Sequence, residues 1–156
     1  MLCSRSCEYG IQAMLYLSLQ QEGRLVLIKE VAERLNIPNP FLAKIVQSLV
    51  KSELIRSFKG RKGGICLARP AGQIRLIKVV EAIDTLAVFK HCVLGFPVCS
   101  DTHWCPMHES WKEMRGAIQN YFETQSLADM AVECRRKLET IPEFSALLDH
   151  LSQTVR

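Results

Sequence analysis

Residues 28–68 read IKEVAERLNIPNPFLAKIVQSLVKSELIRSFKGRKGGICLA, and their pattern indicates the fold of the head. Apolar residues recur in it twice at helical spacing, which predicts two amphipathic helices. Residues 36–38 break the first helix, and Asn39 is expected to cap the second, with Pro40 at its first position. Two helices joined by a tight turn are typical of a helix-turn-helix. A helical hairpin that only packs into a core is the alternative.

A basic, glycine-rich hairpin is predicted at the end of this stretch. Residues 54–58 and 65–68 have the composition of two short strands. The connection Lys59-Gly60-Arg61-Lys62-Gly63-Gly64 supplies glycines for a tight turn and three cations for its tip. Cations so placed can contact phosphate or enter a minor groove. The spacing is not that of a phosphate-binding loop, so we interpret the hairpin as the wing of a winged helix; a merely solvated hairpin is the alternative.

Charge is distributed unevenly around this stretch. Residues 24–78 carry 12 Lys and Arg against 3 Asp and Glu, whereas residues 79–156 carry 7 against 11. A basic segment in an otherwise acidic chain indicates a polyanionic partner for that segment. Residues at the start of a recognition helix reach base edges, and wing cations reach the backbone. The candidate DNA contacts are Asn39, Pro40, Ala43, Lys44, Gln47, Lys51, Lys59, Arg61 and Lys62.

Helical spacing predicts further helices at residues 9–20 and 76–87, and the second of them leads into a cysteine-rich loop. Cys92, Cys99 and Cys105 stand there at Cys-x6-Cys-x5-Cys spacing. The chain starts without an apolar signal sequence and has no run long enough to span a membrane, so a cytoplasmic location is expected. Thiols stay reduced there, and the seven cysteines therefore indicate metal or redox chemistry rather than a disulfide framework.

Two kinds of metal site fit the loop. His108 follows Cys105 by about one helical turn and is the best candidate for a fourth protein ligand. Zinc accepts three cysteines and a histidine, but structural zinc sites usually have Cys-x2-4-Cys spacing, and both gaps here are longer. Longer loops suit an iron–sulfur cluster, which takes mainly thiolates with occasional histidine. A capping or surface role for His108 is the alternative.

A long helix is expected to follow the loop from Pro106. Its apolar residues, at a spacing like that of a coiled-coil seam, are Trp111, Met114, Ile118, Tyr121 and Phe122. A head this small leaves such a seam uncovered, so a second copy of the chain is the expected cover. Packing of the seam against the chain's own head is the alternative. Further helical pieces are expected at residues 127–138 and 144–151.

Nearly the whole chain resembles the iron–sulfur winged-helix regulators of the Rrf-two family, the IscR, NsrR and RirA type. The resemblance rests on Tyr9, the wing Gly60-Arg61-Lys62-Gly63-Gly64 with Leu67-Ala68-Arg69-Pro70, the helix at residues 74–83, the three loop cysteines, Cys105-Pro106-Met107-His108 with Trp111, and Ser126-Leu127-Ala128-Asp129. Each motif is weak alone, and together they are specific.

The resemblance implies a homodimer whose iron–sulfur cluster, [2Fe–2S] or [4Fe–4S], sets its DNA affinity. The three family cysteines match Cys92, Cys99 and Cys105, and the histidine ligand of IscR matches His108. In NsrR-like members an acidic residue near the start of the first helix ligates the cluster of the partner chain, and Glu8 stands there. Ala43 departs from the family, because IscR-like members carry a base-reading glutamate at that position, so a different operator is implied.

The sequence thus predicts a mainly α protein with a small β-hairpin wing, a winged helix-turn-helix head and a long dimerisation helix. The expected segments are a DNA-binding head at 1–88, a cluster-binding loop at 89–108, and dimerisation and C-terminal helices at 109–156.

The expected function is that of a transcriptional regulator, a repressor, whose DNA affinity depends on an iron–sulfur cluster sensing redox, nitric oxide or iron status. The alternative is a zinc- or thiol-dependent winged-helix protein without a cluster. The expected partners are a palindromic double-stranded operator and a second copy of the chain, with no membrane and no small-molecule substrate. No nucleophile–base arrangement stands out, so an enzyme is not expected.

Overall fold

The computed structural model describes residues 3–102 and 105–140, so the helix expected at 144–151 lies outside the described residues. The helices are α1 (Arg5–Ser18), α2 (Ile28–Arg34), α3 (Asn39–Lys51), α4 (Leu76–Ile83), α5 (His108–Thr124) and α6 (Leu127–Thr140). The strands are β1 (Ile55–Phe58) and β2 (Gly64–Leu67), and two short 3₁₀ turns span Ala71–Gln73 and Leu86–Phe89. Within these ranges no helix is both long and apolar enough to cross a membrane.

The core of the head lies where α1, α3 and α4 pack together, and α2 and the hairpin contribute the buried residues Val31, Ile55 and Ile65 to it. α3 follows the predicted stripe, since Leu42, Ile45, Val46 and Leu49 are all buried. α6 returns to the head and packs on α1, where it buries Leu127 completely. The late helix therefore belongs partly to the core of the head.

The hairpin has the form expected of a wing. β1 and β2 are antiparallel, in register from the pair Ile55–Leu67 to the pair Phe58–Gly64. Val26 exchanges two backbone hydrogen bonds with Ile65, of 3.0 and 2.8 Å, and so ties the hairpin to the segment before α2. Gly64 has φ of +152°, and a Cβ there would lie 2.8 Å from the Val26 carbonyl oxygen. Only glycine allows this close backbone approach.

The start of α3 differs from the prediction. Pro38, and not Asn39, holds the cap position, and Asn39 is already the first helical residue. The Pro38 carbonyl accepts hydrogen bonds of 3.0 Å from the backbone N–H groups of Phe41 and Leu42. No side chain caps α3, so the Asn39 side chain is not engaged in capping, and it is exposed on the outer face of the helix.

The elements around the cysteine loop also differ from the prediction. α4 ends at Ile83 and not at residue 87, because Thr85 adopts φ of +62°, a conformation that a β-branched residue rarely takes. α5 begins at His108 with Met107 at its cap position, two residues after the expected start. His108 is therefore the first residue of the helix, and its N–H donates to the Cys105 carbonyl at 3.1 Å.

Ser126 and Asp129 form a reciprocal cap at the start of α6. The Ser126 hydroxyl and N–H donate to Asp129 Oδ2 at 2.6 and 2.9 Å, and the Asp129 N–H donates back to the Ser126 hydroxyl at 3.2 Å. The hydroxyl and then the N–H of Ser126 hold the pKa of Asp129 below its usual value. Such boxes satisfy backbone donors that a helix start leaves unpaired.

Ser126→Ala is expected to lower the free energy of unfolding by about 1 kcal/mol at neutral pH, measured by urea denaturation. A depressed carboxyl pKa stabilises the fold above the ordinary pKa, and this contribution is lost as pH falls through the lowered value. The difference between wild type and variant should therefore shrink in acid. A difference near zero at neutral pH, or one that grows on acidification, would contradict the cap.

Candidate nucleic-acid interface and metal centre

The outer face of α3 carries the residues predicted there for DNA contact. Asn39, Pro40, Lys44, Gln47 and Lys51 are exposed, and Ala43 is half-buried. Neither Lys44 nor Lys51 forms an ion pair with a described residue. The face therefore presents two amides, two cations, a proline and a small side chain, and neither cation is paired with a described residue.

The wing tip presents its three cations beside this face. Lys59, Arg61 and Lys62 are exposed, and the turn closes through a 2.9 Å hydrogen bond from the Gly63 N–H to the Gly60 carbonyl. A shallow groove runs between the start of α2, the start of α3 and the wing, with Lys29, Asn39, Ala43, Phe58 and Gly60 among its lining residues. The helix and the wing thus border one continuous surface.

Phe58 and Lys29 belong to this surface but were not predicted. Phe58 ends β1 with 48% of its side chain exposed, and Lys29 lies 3.8 Å from Glu33. The sequence feature that could have indicated Phe58 is its place at the end of the first predicted strand, directly before the segment with the three cations. Strand alternation alone does not separate it from a core residue.

In the cysteine loop, the thiols of Cys105 and Cys99 both interact with the thiol of Cys92. All three cysteines are half-buried. Partial burial raises the pKa of Cys92, but backbone N–H groups of Phe96 and Leu94 and the thiols of Cys105 and Cys99 outweigh it, and the net pKa is lower than usual. Cys92 is thus surrounded by donors that favour its thiolate.

His108 is buried against this group, with 5% of its surface exposed. Its Nδ1 lies 3.3 Å from Cys99 Sγ, and its Nε2 lies 2.9 Å from Asp101 Oδ1. Lys112 also donates to Asp101 Oδ1, at 2.6 Å. The hydrogen bonds from Lys112 and then from His108 hold the pKa of Asp101 below its usual value. The ring is therefore clamped between a thiol and an ionised carboxylate.

One face of α5 holds the loop in place. The Arg115 guanidinium donates to Cys99 Sγ and to the Lys90 carbonyl, at 3.2 Å in both cases. The Trp111 indole N–H donates to the His91 carbonyl at 2.8 Å. Trp111, which was predicted for dimerisation, thus braces the loop of its own chain.

Asp101, Lys112 and Arg115 were not among the residues predicted for this site. The two basic residues stand four and seven positions after His108, the spacing of one helix face, so the signal was present once the helix start is known. Asp101 lies in the loop, where its position depends on the backbone path and no periodicity indicates it.

Glu8 lies in α1, and its hydrogen bond and ion pair among the described residues go to Arg5 rather than to the cysteine loop. Its carboxylate pairs with Arg5 at 3.0 Å, and its charge acts on Cys3 and Cys7. A single protomer therefore does not join Glu8 to the three loop cysteines.

The predicted apolar seam of α5 divides between two environments. Ile118 and Phe122 pack against a small core cluster of the chain's own head, and the Phe122 ring lies 5.7 Å from that of Phe89. Met114 and Tyr121 remain 58% and 54% exposed. Part of the seam thus packs on the head, and part is left uncovered in one protomer.

A family model described as Rrf2, iron-dependent transcriptional regulator, matches residues 3–133. A relative from Aquifex aeolicus, named as an HTH-type transcriptional regulator, is 32% identical over 132 residues, which cover 83% of this chain and 91% of the relative.

Two solved structures have the same fold. CymR, the global cysteine regulator of B. subtilis, has a TM-score of 0.70 at 20% identity, covering 83% of this chain and 95% of CymR. T. potens IscR has a TM-score of 0.65 at 24% identity, covering 83% of this chain and 85% of IscR. The predicted mainly α fold with a winged head is confirmed, and the named relatives are regulators rather than enzymes, as expected. The chain belongs to the Rrf2 family of DNA-binding transcriptional regulators.

Proposed function

We propose that this regulator is a repressor that carries an iron–sulfur cluster on Cys92, Cys99 and Cys105, and that the state of the cluster sets its DNA affinity. The observation that carries the proposal is the buried His108, whose Nδ1 lies 3.3 Å from Cys99 Sγ while Asp101 holds Nε2. The description of the matching family as iron-dependent supports iron as the metal. When bound, such a cluster supplies a centre that responds to redox change, nitric oxide or iron supply.

The donor set fits the group. Three half-buried thiols and one imidazole nitrogen are soft and borderline ligands, which suit iron–sulfur clusters. Asp101 would accept the Nε2 proton of His108, which leaves the Nδ1 lone pair on the side of Cys99. Arg115 donates to the Cys99 sulfur, and such bonds tune the potential of a cluster. Glu8 of a second copy is the competing fourth ligand.

α5 provides the route from the loop to the heads. Its first residue is His108, and Trp111 and Arg115 fasten the loop backbone to its next two turns. Rearrangement of the loop would therefore displace α5 against α4 and the 3₁₀ turn at Leu86–Phe89. This connection supports a loop at 89–108 that joins the head at 1–88 to the proposed dimerisation segment at 109–156, of which α6 also packs on the head.

We infer a homodimer that binds a palindromic operator. Met114 and Tyr121 on α5 and four apolar loop residues are about half exposed, which leaves apolar surface that a second copy would bury. The loop residues are Val93, Leu94, Phe96 and Val98. Two heads reading half-sites about 34 Å apart are sensitive to small shifts of the dimer helices. A coupling of about 1–3 kcal/mol would change DNA affinity from several-fold to about a hundredfold.

The test is an absorption spectrum with iron and sulfide analysis on protein purified without oxygen. Visible bands with matched iron and sulfide are expected, and their shape separates [2Fe–2S] from [4Fe–4S]. A folded, colourless protein that contains zinc or no metal, and takes up no cluster on anaerobic reconstitution, would contradict the proposal. It would leave a winged-helix regulator that depends on zinc or on thiol chemistry.

Asp101→Ala should shorten the lifetime of the visible absorbance under a chelator by about 10- to 100-fold, the usual effect of losing the partner of a ligating histidine. Glu113→Ala is the matched control, since Glu113 is an exposed carboxylate on α5 without a described contact to the loop. Equal lifetimes in the two variants would show that the hydrogen bond between Asp101 and His108 does not stabilise the cluster. They would thereby contradict the proposal that His108, held by Asp101, is a ligand.

A further inference from the structure

A second group of metal-ligating side chains lies away from the loop. The Sγ atoms of Cys3 and Cys7 and a carboxylate oxygen of Asp84 all lie within 4.8 Å of one another. Cys3 and Cys7 stand on either side of the α1 cap residue Ser4, and Asp84 directly follows α4. Cys7 is completely buried and Cys3 is half-buried. The group therefore joins the start of one core helix to the end of another.

The Asp84 carboxylate of this group forms no ion pair with a described residue. Asp84 accepts a 2.7 Å hydrogen bond from the Ser4 N–H and a second from the Ser4 hydroxyl. Arg5, the nearest basic residue in the sequence, pairs with Glu8. Burial raises the pKa of Cys7, and the charges of Cys3 and Asp84 add to this. Burial likewise raises the pKa of Cys3, a hydrogen bond with the Cys7 thiol partly offsets this, and the charges of Asp84 and Glu8 add smaller increases. A bound cation would reverse these effects.

The spacing of the ligands also fits a metal. Cys3 and Cys7 are separated by three residues, within the Cys-x2-4-Cys range of zinc sites, whereas both gaps of the cysteine loop are longer. Ligand atoms around a tetrahedral zinc lie about 3–4 Å apart, so the three atoms need only a small adjustment. Zinc takes both thiolates and carboxylates as ligands, so these three side chains would fill three of its four positions and a water the fourth.

We propose that Cys3, Cys7 and Asp84 bind one Zn²⁺ ion that fastens the start of α1 to the end of α4. The two thiols lose their protons to solvent as the metal binds, and both sulfurs and the carboxylate become its ligands. Asp84 is followed at once by Thr85 and by the 3₁₀ turn that leads to Cys92. Cys7 also packs in the same small core cluster as Phe89, on which Phe122 of α5 rests. The ion would thus restrict the motion of the 3₁₀ turn Leu86–Phe89, from which the cysteine loop begins.

The test uses full-length protein with Cys92→Ser, Cys99→Ser and Cys105→Ser, in which the loop can hold no cluster. Co²⁺ is the probe, added to reduced protein without oxygen. The expected result is thiolate-to-cobalt absorption with tetrahedral d–d bands that saturate at one Co²⁺ per chain and disappear when Zn²⁺ is added. Adding Cys3→Ala or Cys7→Ala should abolish the bands. Adding Cys66→Ala or Cys134→Ala, which remove half-buried thiols elsewhere, should leave them unchanged.

Folding and function can be separated from metal binding in this design. Cys3 is half-buried and precedes α1, so Cys3→Ala should keep the far-ultraviolet helix signal even if Cys7→Ala does not fold. Zn²⁺ should raise the Tm of the triple variant and leave the Tm of its Cys3→Ala derivative unchanged. A folded triple variant without cobalt bands, or bands that survive Cys3→Ala, would overturn the proposal. Because all variants lack the loop cysteines, neither outcome depends on the iron–sulfur proposal.

Discussion

Cys99→Ala should give a protein that binds no iron–sulfur cluster and whose DNA affinity no longer responds to iron or oxygen. Cys99 contacts three other residues of the candidate site. Its Sγ lies 3.3 Å from His108 Nδ1 and 3.2 Å from the Arg115 guanidinium, and its thiol helps to lower the pKa of Cys92. Alanine removes a ligand and leaves the buried Nδ1 of His108 without this partner. An unpaired buried polar atom costs about 1–3 kcal/mol, so the apo-variant should also be less stable.

The measurement combines absorption, iron and sulfide content, and fluorescence anisotropy on a DNA fragment selected by the wild-type protein from a random pool. Wild-type protein should bind this fragment with different affinities in the loaded and apo forms, and Cys99→Ala should show one affinity under both conditions. Cys66→Ala is the matched control, because Cys66 is a half-buried thiol on the wing strand β2, outside the proposed set of cluster ligands. Visible bands with matched iron and sulfide in Cys99→Ala would remove Cys99 from the proposed ligands.

Most of the fold could be predicted from local patterns in the sequence. The stripe of α3 and the glycines of the wing were visible in the sequence because each depends on spacing within one element. Gly60 and Gly64 both adopt positive φ, which their position in a predicted tight turn requires. The position of Asn39 was wrong by one residue, since a backbone carbonyl of Pro38 replaces a side-chain cap and no residue type signals this.

The candidate metal centre was predictable only in part. Cysteine and histidine are common metal ligands, so their residue types and their spacing were enough to predict Cys92, Cys99, Cys105 and His108 as candidate ligands. Asp101 could not, because its carboxylate reaches His108 only through the path of an irregular loop. Residues such as Asp101, which hold a candidate ligand in place, are positioned by tertiary structure, and the pattern of a single sequence does not indicate them.

The α5 seam shows a second limit of periodicity. Five apolar residues at helical spacing mark one stripe, but the stripe does not reveal what covers it. Ile118 and Phe122 turned out to meet the chain's own core, whereas Met114 and Tyr121 face outward. The two exposed positions are seven residues apart, the spacing at which a seam repeats on the same helix face. They are the residues on which the proposed dimer depends most directly.

Removing all three cations from the wing, by Lys59→Ala, Arg61→Ala and Lys62→Ala, should weaken DNA binding on every sequence. The three side chains are exposed at a hairpin tip and form no ion pair among the described residues, so their charges are available to phosphate. Each phosphate contact contributes about 0.9 to the slope of log K against log salt concentration. Three lost contacts should flatten that slope by up to about 3 and reduce affinity on the order of 100-fold at about 0.15 M salt.

Gln47→Ala provides the contrast that separates the wing from the recognition helix. Gln47 is exposed on α3 and uncharged, so its loss should leave the salt slope unchanged and cost about 1–3 kcal/mol on the preferred sequence only. Lys78→Ala is the control for charge, since Lys78 is exposed on α4 and pairs with Glu81 at 2.7 Å. Anisotropy titrations at several salt concentrations, on selected and random DNA, distinguish the three variants. An unchanged slope in the triple variant would remove the wing from the phosphate contacts and assign the basic surface to α3 alone.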